Sequence, residues 1–230
     1  MSVVDILAVL YFKCLYVPPD DPGLADRDRL VLGKAPALAA QYAVMAERGF
    51  FPTEDLLKPG GPLTPNADGR FAYLDAQPVL PGMGLSIGLG MALAARFGEH
   101  PFHAYVVMGD GELQSGAVWE AAMHAGFLGI DNLTLIVDRN GLQASGRVDE
   151  RLSLNPLPDK FQAFGWNPLL VDGHNVRSLA YTLERARECL EMPSVVIANT
   201  TRGKGFSLAE NREEWQDRQP SEDEIARALG

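Results

Sequence analysis

Two apolar runs organise the chain. His103-Ala104-Tyr105-Val106-Val107-Met108 and Leu133-Thr134-Leu135-Ile136-Val137-Asp138 are nearly continuous rather than alternating, the pattern of strands buried on both faces of a sheet. Residues 117–127 between them have helical periodicity. A strand–helix–strand unit requires parallel strands and a right-handed crossover. Residues 3–16 read as an apolar amphipathic helix stopped by Pro18-Pro19, 20–28 as a charged turn region, and 35–47 as an Ala-rich helix. Residues 56–76 are dense in Pro and Gly and predict a long functional loop. A small-residue helix follows over 84–97. A short helix ends at 161–164, Leu169-Leu170-Val171 and 194–198 read as strands, and 176–191 reads as a helix. Ser221 with Glu224 makes a capping box for a last helix. The alternation predicts a doubly wound α/β fold, a mostly parallel sheet with helices on both faces. Residues 1–230 are expected to form a single domain with a C-terminal helical tail.

The apolar runs end on chemistry. The first leads into Gly109-Asp110-Gly111-Glu112, the second into Arg139-Asn140-Gly141. Asp110 and Asn140 therefore fall at the carboxyl ends of two strands of one sheet, where open parallel sheets bind ligands. A carboxylate and an amide oxygen are hard ligands for magnesium or calcium, and magnesium shares its shell with phosphate and water. Glycines let backbone approach a phosphate, and a following helix offers free N–H groups. The pattern points to a metal-bridged diphosphate site; two ordinary Asp-Gly and Asn-Gly turns are the alternative. Gly82-x-Gly84-x-x-x-Gly88 is a rival, dinucleotide-like signal, but its spacing is one residue too long and prolines precede it.

Composition narrows the class. With 230 residues and 47% hydrophobic content, there is material for one sizeable core. A net charge of −10 argues against nucleic acid and anionic membrane partners. Cys14 and Cys189 lie among apolar residues on expected helices and read as buried free thiols. No signal peptide is visible, and the apolar stretch over 85–95 is too short to span a bilayer, so a cytoplasmic location is expected.

Gly-Asp-Gly-Glu followed about thirty residues later by Asn140 resembles the thiamine diphosphate motif. Several stretches are similar to the amino-terminal subunit of two-chain transketolases: Trp119-Glu120-Ala121-Ala122, Asn140-Gly141-Leu142-Gln143, Tyr42 through Pro52, Phe164-Gly165-Trp166 through His174, and Asn199 through Trp215. The resemblance covers nearly the whole chain. It implies the diphosphate half of the thiamine diphosphate-binding fold, with thiamine diphosphate and Mg2+ (or Ca2+ or Mn2+) as cofactors. Asp110, the Asn140 side-chain oxygen and the Leu142 carbonyl would ligate the metal, and Gly82, Gly84, Gly109, Gly111 and Glu112 would line the cofactor. The metal would anchor the tail while the thiazolium carbon does the chemistry. Glu120 would face a subunit interface, where an acid expected just before Gly116 is here Ser115. The activating glutamate would lie on a separate pyrimidine-domain partner. The length leaves no room for that domain, so the chain would be inactive alone and part of an α2β2 assembly with a large apolar interface.

Departures from the family pattern bear on substrate. Where a Ser-Lys-Gly-His run is expected the chain has Gly33-Lys34-Ala35-Pro36; where Gly-His-Pro is expected it has Thr64-Pro65-Asn66; where Trp-His is expected it has Trp215-Gln216. The glycine loop reads Pro78-Val79-Leu80-Pro81-Gly82-Met83-Gly84, and the Gly-His-x-Gly-Gly segment, which would precede residue 1, is expected to be missing. His100, His103, His124 and His174 fall on none of the sugar-binding positions; His174 is expected to order a loop. A drier pocket suits a less hydroxylated small molecule, such as a 2-oxo acid or an unusual ketose. Lys204 and Gln216 are candidates for cofactor-tail or substrate contact. The reading is a ketol- or acyl-transferring subunit with non-standard specificity. An α-like subunit of a 2-oxo acid decarboxylase or dehydrogenase, and a non-catalytic regulatory subunit, are the alternatives.

Overall fold

The apolar runs form the centre of a five-stranded parallel sheet in a computed structural model that describes residues 1–58, 74–76, 80–215, 218 and 220–229. In chain order, α1 (Val4–Val9) runs into a π-helical turn (Leu10–Cys14), and β1 (Arg29–Leu32) leads through Gly33 to α2 (Leu38–Arg48). Then come α3 (Gly84–Phe97), β2 (Ala104–Gly109), α4 (Gly116–Phe127) and β3 (Leu133–Arg139). A small hairpin follows, β4 (Leu142–Gln143) with β5 (Gly146–Arg147), then α5 (Val148–Leu152) and α6 (Leu157–Ala163). β6 (Asn167–Asp172), α7 (Val176–Arg187), β7 (Ser194–Asn199) and α8 (Glu222–Leu229) complete the chain. The sheet order is β1-β2-β3-β7-β6, with every pairing parallel.

Side chains of the central strands alternate between two cores. Tyr105 and Val107 point to the layer of α1, α2 and α7; Val106 and Met108 point to the layer of α3, α4 and α6. β2 and most of β3 are buried on both faces, which is why both read as unbroken apolar runs. The small residues of α3 let it lie close on the sheet. A Cβ at Gly88 would sit 2.2 Å from Val106 Cγ2, so only glycine fits that approach. The register sets Gly109 beside Asp138 and Asp138 beside Ala198, so the carboxyl ends of β2, β3 and β7 lie level.

Several expectations change. Periodicity does not announce β1, which is only four residues long; the strand exists by pairing with β2 and by the Asp75 carboxylate accepting from Leu30 N–H at 2.9 Å. The helix expected over 176–191 ends at Arg187, and Glu191 turns the chain at φ 67°. The helix expected from 35 opens as a 3-10 turn over Ala35–Ala37. Both cysteines are free but only half-buried, and Cys189 lies beyond α7. The capping box is present, with Ser221 N–H donating to Glu224 at 2.9 Å. Gly84 and Gly88 sit inside α3, against β1 and β2, and not in a strand-to-helix phosphate turn. Thr64-Pro65-Asn66, Pro78-Val79, most of the expected 56–76 loop and Gln216 lie outside the described residues. Among the described residues no helix is long and apolar enough to cross a membrane.

Candidate functional site

Asp110 leaves β2 and Asn140 leaves β3, and the fold brings them to the same cavity. Asp110 is 6% exposed and Asn140 7%. Asp110 Oδ1 accepts from Gly111 N–H at 3.0 Å, and Oδ2 accepts from Gly141 N–H at 2.8 Å, across the gap between the two strand ends. Gly141 has φ 74°, a left-handed turn that glycine takes without strain, and this turn aims its N–H at the carboxylate. Asn140 Oδ1 accepts from Leu142 N–H at 3.0 Å. The hairpin β4–β5 then carries the chain away, and Gly141 O accepts from Val148 N–H at 3.0 Å.

The cavity measures about 460 Å3. Its lining includes Gly109, Asp110, Gly111, Glu112, Asn140 and Leu142, the motif residues singled out in the sequence. It also includes Lys34 and Arg202, which sequence reasoning does not assign to the site. In the sequence Lys34 is only part of a departing run; its place follows from a bond to Asp138, 104 residues away, which no local pattern announces. Gly84 lies under the cavity against Gly33, and the Gly82 N–H makes a long 3.5 Å contact with Glu112. Lys204 is exposed and lines neither this cavity nor its neighbour. That neighbour, about 480 Å3, shares Lys34, Pro36 and Arg202 and is otherwise largely apolar, with Ala37, Phe206 and Trp215 in its wall.

Burial pushes the Asp110 carboxyl up to about 6, against the two backbone hydrogen bonds that favour its charge; nearby Asp138 adds to the rise. Burial also raises Glu112, whose carboxylate accepts from Gly109 N–H at 2.8 Å. Two desolvated carboxylates gain from a divalent cation. Asp110 and the Asn140 amide bring a carboxylate and an amide oxygen to one cavity, donors of the kind magnesium takes when it shares its shell with phosphate. Among the described residues no group of three or more His, Cys, Asp or Glu side chains is placed to hold a metal, so any ion here depends on that mixed set. The residues present fit a metal-bound diphosphate.

His174 is held from both sides: one ring nitrogen lies 2.7 Å from Asp5, and the other accepts from Thr201 N–H at 2.8 Å. It ties α1 to the segment carrying Arg202, the ordering role expected of it.

A family model described as the thiamine diphosphate binding domain of transketolase matches residues 1–229. A 6-deoxy-6-sulfo-D-fructose transketolase subunit of Clostridium sp. (strain MSTE9) is 39% identical over 216 residues, covering 92% of this chain and 78% of that protein. An apulose-4-phosphate transketolase subunit of Phocaeicola vulgatus is 34% identical over 232 residues, covering 100% of this chain and 83% of that protein. The crystal structure of transketolase from Campylobacter jejuni aligns with a TM-score of 0.85 at 29% identity, covering 99% of this chain and 37% of that one. The chain thus spans little more than a third of that transketolase's length.

Proposed function

The chain belongs to the transketolase family, and from that premise we propose that it is one subunit of a split, thiamine diphosphate- and magnesium-dependent enzyme transferring a two-carbon ketol unit. The observation that carries the reading is the meeting of Asp110 and Asn140 oxygens at level strand ends, on a cavity large enough for a cofactor tail. We take residues 1–230 as the diphosphate-binding domain of that enzyme with a C-terminal helical tail.

When bound, thiamine diphosphate supplies the nucleophilic thiazolium carbon, and magnesium the charge that holds its diphosphate. Asp110, the Asn140 side-chain oxygen and the Leu142 carbonyl hold the metal. Gly111 and Gly141 N–H groups orient the Asp110 carboxylate so that a lone pair of each oxygen remains for the ion. Lys34 and Arg202 present cations to the same cavity and bind the diphosphate oxygens. Glu112 fixes the turn at Gly109. The carboxylate that activates the cofactor belongs to the partner chain.

α3 and α4 support a partner surface. They pack side by side and expose Phe97, Met123 and Phe127, with the phenylalanines 79% and 86% exposed, and Met83 is exposed just before α3. Exposed Glu120 stands among them. An apolar face of this kind marks an interface, and we assign it to a pyrimidine-domain subunit in an α2β2 assembly. The relatives named for a sulfonated fructose and for apulose 4-phosphate, and the apolar cavity beside the site, support an unusual ketose as donor.

Calorimetry tests the reading. Thiamine diphosphate with magnesium should bind tightly to the chain mixed with its partner, and weakly to the chain alone, and Asp110→Ala should abolish binding. Absence of binding in both samples overturns it, and carbon dioxide release from a 2-oxo acid without ketol transfer would replace it with a decarboxylase.

A further inference from the structure

Asp138 does not line the cavity, yet side chains from four segments converge on it. It is fully buried at the end of β3. Its Oδ2 lies 2.5 Å from Lys34 Nζ and accepts from Ser2 Oγ at 2.7 Å; its Oδ1 accepts from Thr200 Oγ1. Asn140 Nδ2 points at the same Oδ2, 3.4 Å away, and at Ser2 Oγ, 3.2 Å away. Lys34 follows β1 and Thr200 follows β7, so one carboxylate ties together the exits of three strands.

We propose that Asp138 is a positioning residue for the cofactor site: it pins the Lys34 ammonium at the cavity wall and sets the Asn140 amide with its oxygen toward the metal position. The proposal rests on the thiamine diphosphate reading above. Asp138 itself touches neither metal nor cofactor.

Two physical arguments carry it. First, an asparagine amide has nearly the same shape with oxygen and nitrogen exchanged, so something must choose. An ionised carboxylate only accepts hydrogen bonds, and it therefore admits the Asn140 nitrogen on its side and excludes the oxygen. The Leu142 N–H on Asn140 Oδ1 makes the same choice from the other side. Second, a buried negative charge near a diphosphate opposes the anion. On charge alone a neutral residue at 138 would serve binding better. The carboxylate makes sense where fixing Lys34 and Asn140 outweighs that repulsion.

For thiamine diphosphate binding, charge and positioning predict opposite results for Asp138→Asn, which keeps the shape and removes the charge. In the complex with the partner chain, thiamine diphosphate would be titrated at saturating magnesium, with the unliganded melting temperature recorded in parallel. The wild-type complex should bind both. Asp138→Asn should weaken thiamine diphosphate about 10–100-fold, the scale of losing a partner behind a metal ligand, whereas loss of a repelling charge alone would tighten it. Thr200→Val removes one tether and leaves the carboxylate in place; it should weaken thiamine diphosphate severalfold, and it keeps the question open to test if Asp138→Asn does not fold. Unchanged or tighter thiamine diphosphate binding in the variant that folds, whatever its melting temperature, would overturn the inference. Failure of the wild-type complex to bind cofactor would instead overturn the reading on which it rests.

Discussion

At the scale of single residues, Asp110 illustrates a conflict between site and stability. Its carboxylate is ionised in a place that burial makes unfavourable, and a cation there offsets the cost. Asp110→Asn removes the desolvated charge but leaves one of the two backbone N–H groups without its acceptor, so it should shift the unliganded chain's stability in urea unfolding by no more than about 1–2 kcal/mol, while cofactor binding in the complex disappears; a larger loss of stability would mean a structural residue. His103 titrates independently of the site. It is buried against Thr134 Oγ1 at 2.8 Å, and burial, aided by the Arg187 charge, lowers its pKa to about 4. The unfolded chain binds this proton near pH 6.5 and the folded chain does not until about 4, so stability falls as pH drops through that window, by up to ~3 kcal/mol. Urea midpoints at pH 7 and 4.5 should converge in His103→Gln. Asp110 and Asn140 were legible in the sequence because each is pinned to the end of an apolar run. Lys34 and Arg202 were not, since their positions depend on contacts from distant segments, and Lys204, though close to Arg202 in the chain, is exposed to solvent.

At the scale of elements, periodicity carried the long helices and central strands, and failed where an element exists by tertiary contact alone. β1 needs β2 and Asp75; the β4–β5 hairpin spans two residues a side and is too short to leave a pattern. α3 was legible end to end, and its glycines have a packing meaning that the sequence left open. Gly88→Ala should drive a methyl into Val106 and cost about 1–3 kcal/mol, read as a lowered melting temperature. The outer faces of α3 and α4 obey a different rule. Phe97→Glu with Phe127→Glu should change the isolated chain's stability by no more than about 0.5 kcal/mol each, yet prevent association with the partner in analytical ultracentrifugation. Persistent association would place the interface elsewhere.

At the scale of the molecule, charge decides how an anionic cofactor is held. The chain carries a net −10, and around the site Asp110, Glu112 and Asp138 outnumber Lys34 and Arg202. A diphosphate entering without a divalent ion would meet more negative than positive charge. Chelation should weaken thiamine diphosphate in the complex at least about tenfold, or 1.4 kcal/mol, and added magnesium should restore it; retention of the cofactor without metal would show that Lys34 and Arg202 suffice. The helices α3 and α4 also show phenylalanine to solvent. That surface reaches into how the chain is made. A copy leaving the ribosome without its counterpart would present sticky surface to other unassembled copies. Cells should do best when both halves are translated together in matched amounts, and a laboratory host given this reading frame by itself should return it largely in inclusion bodies or bound to chaperones.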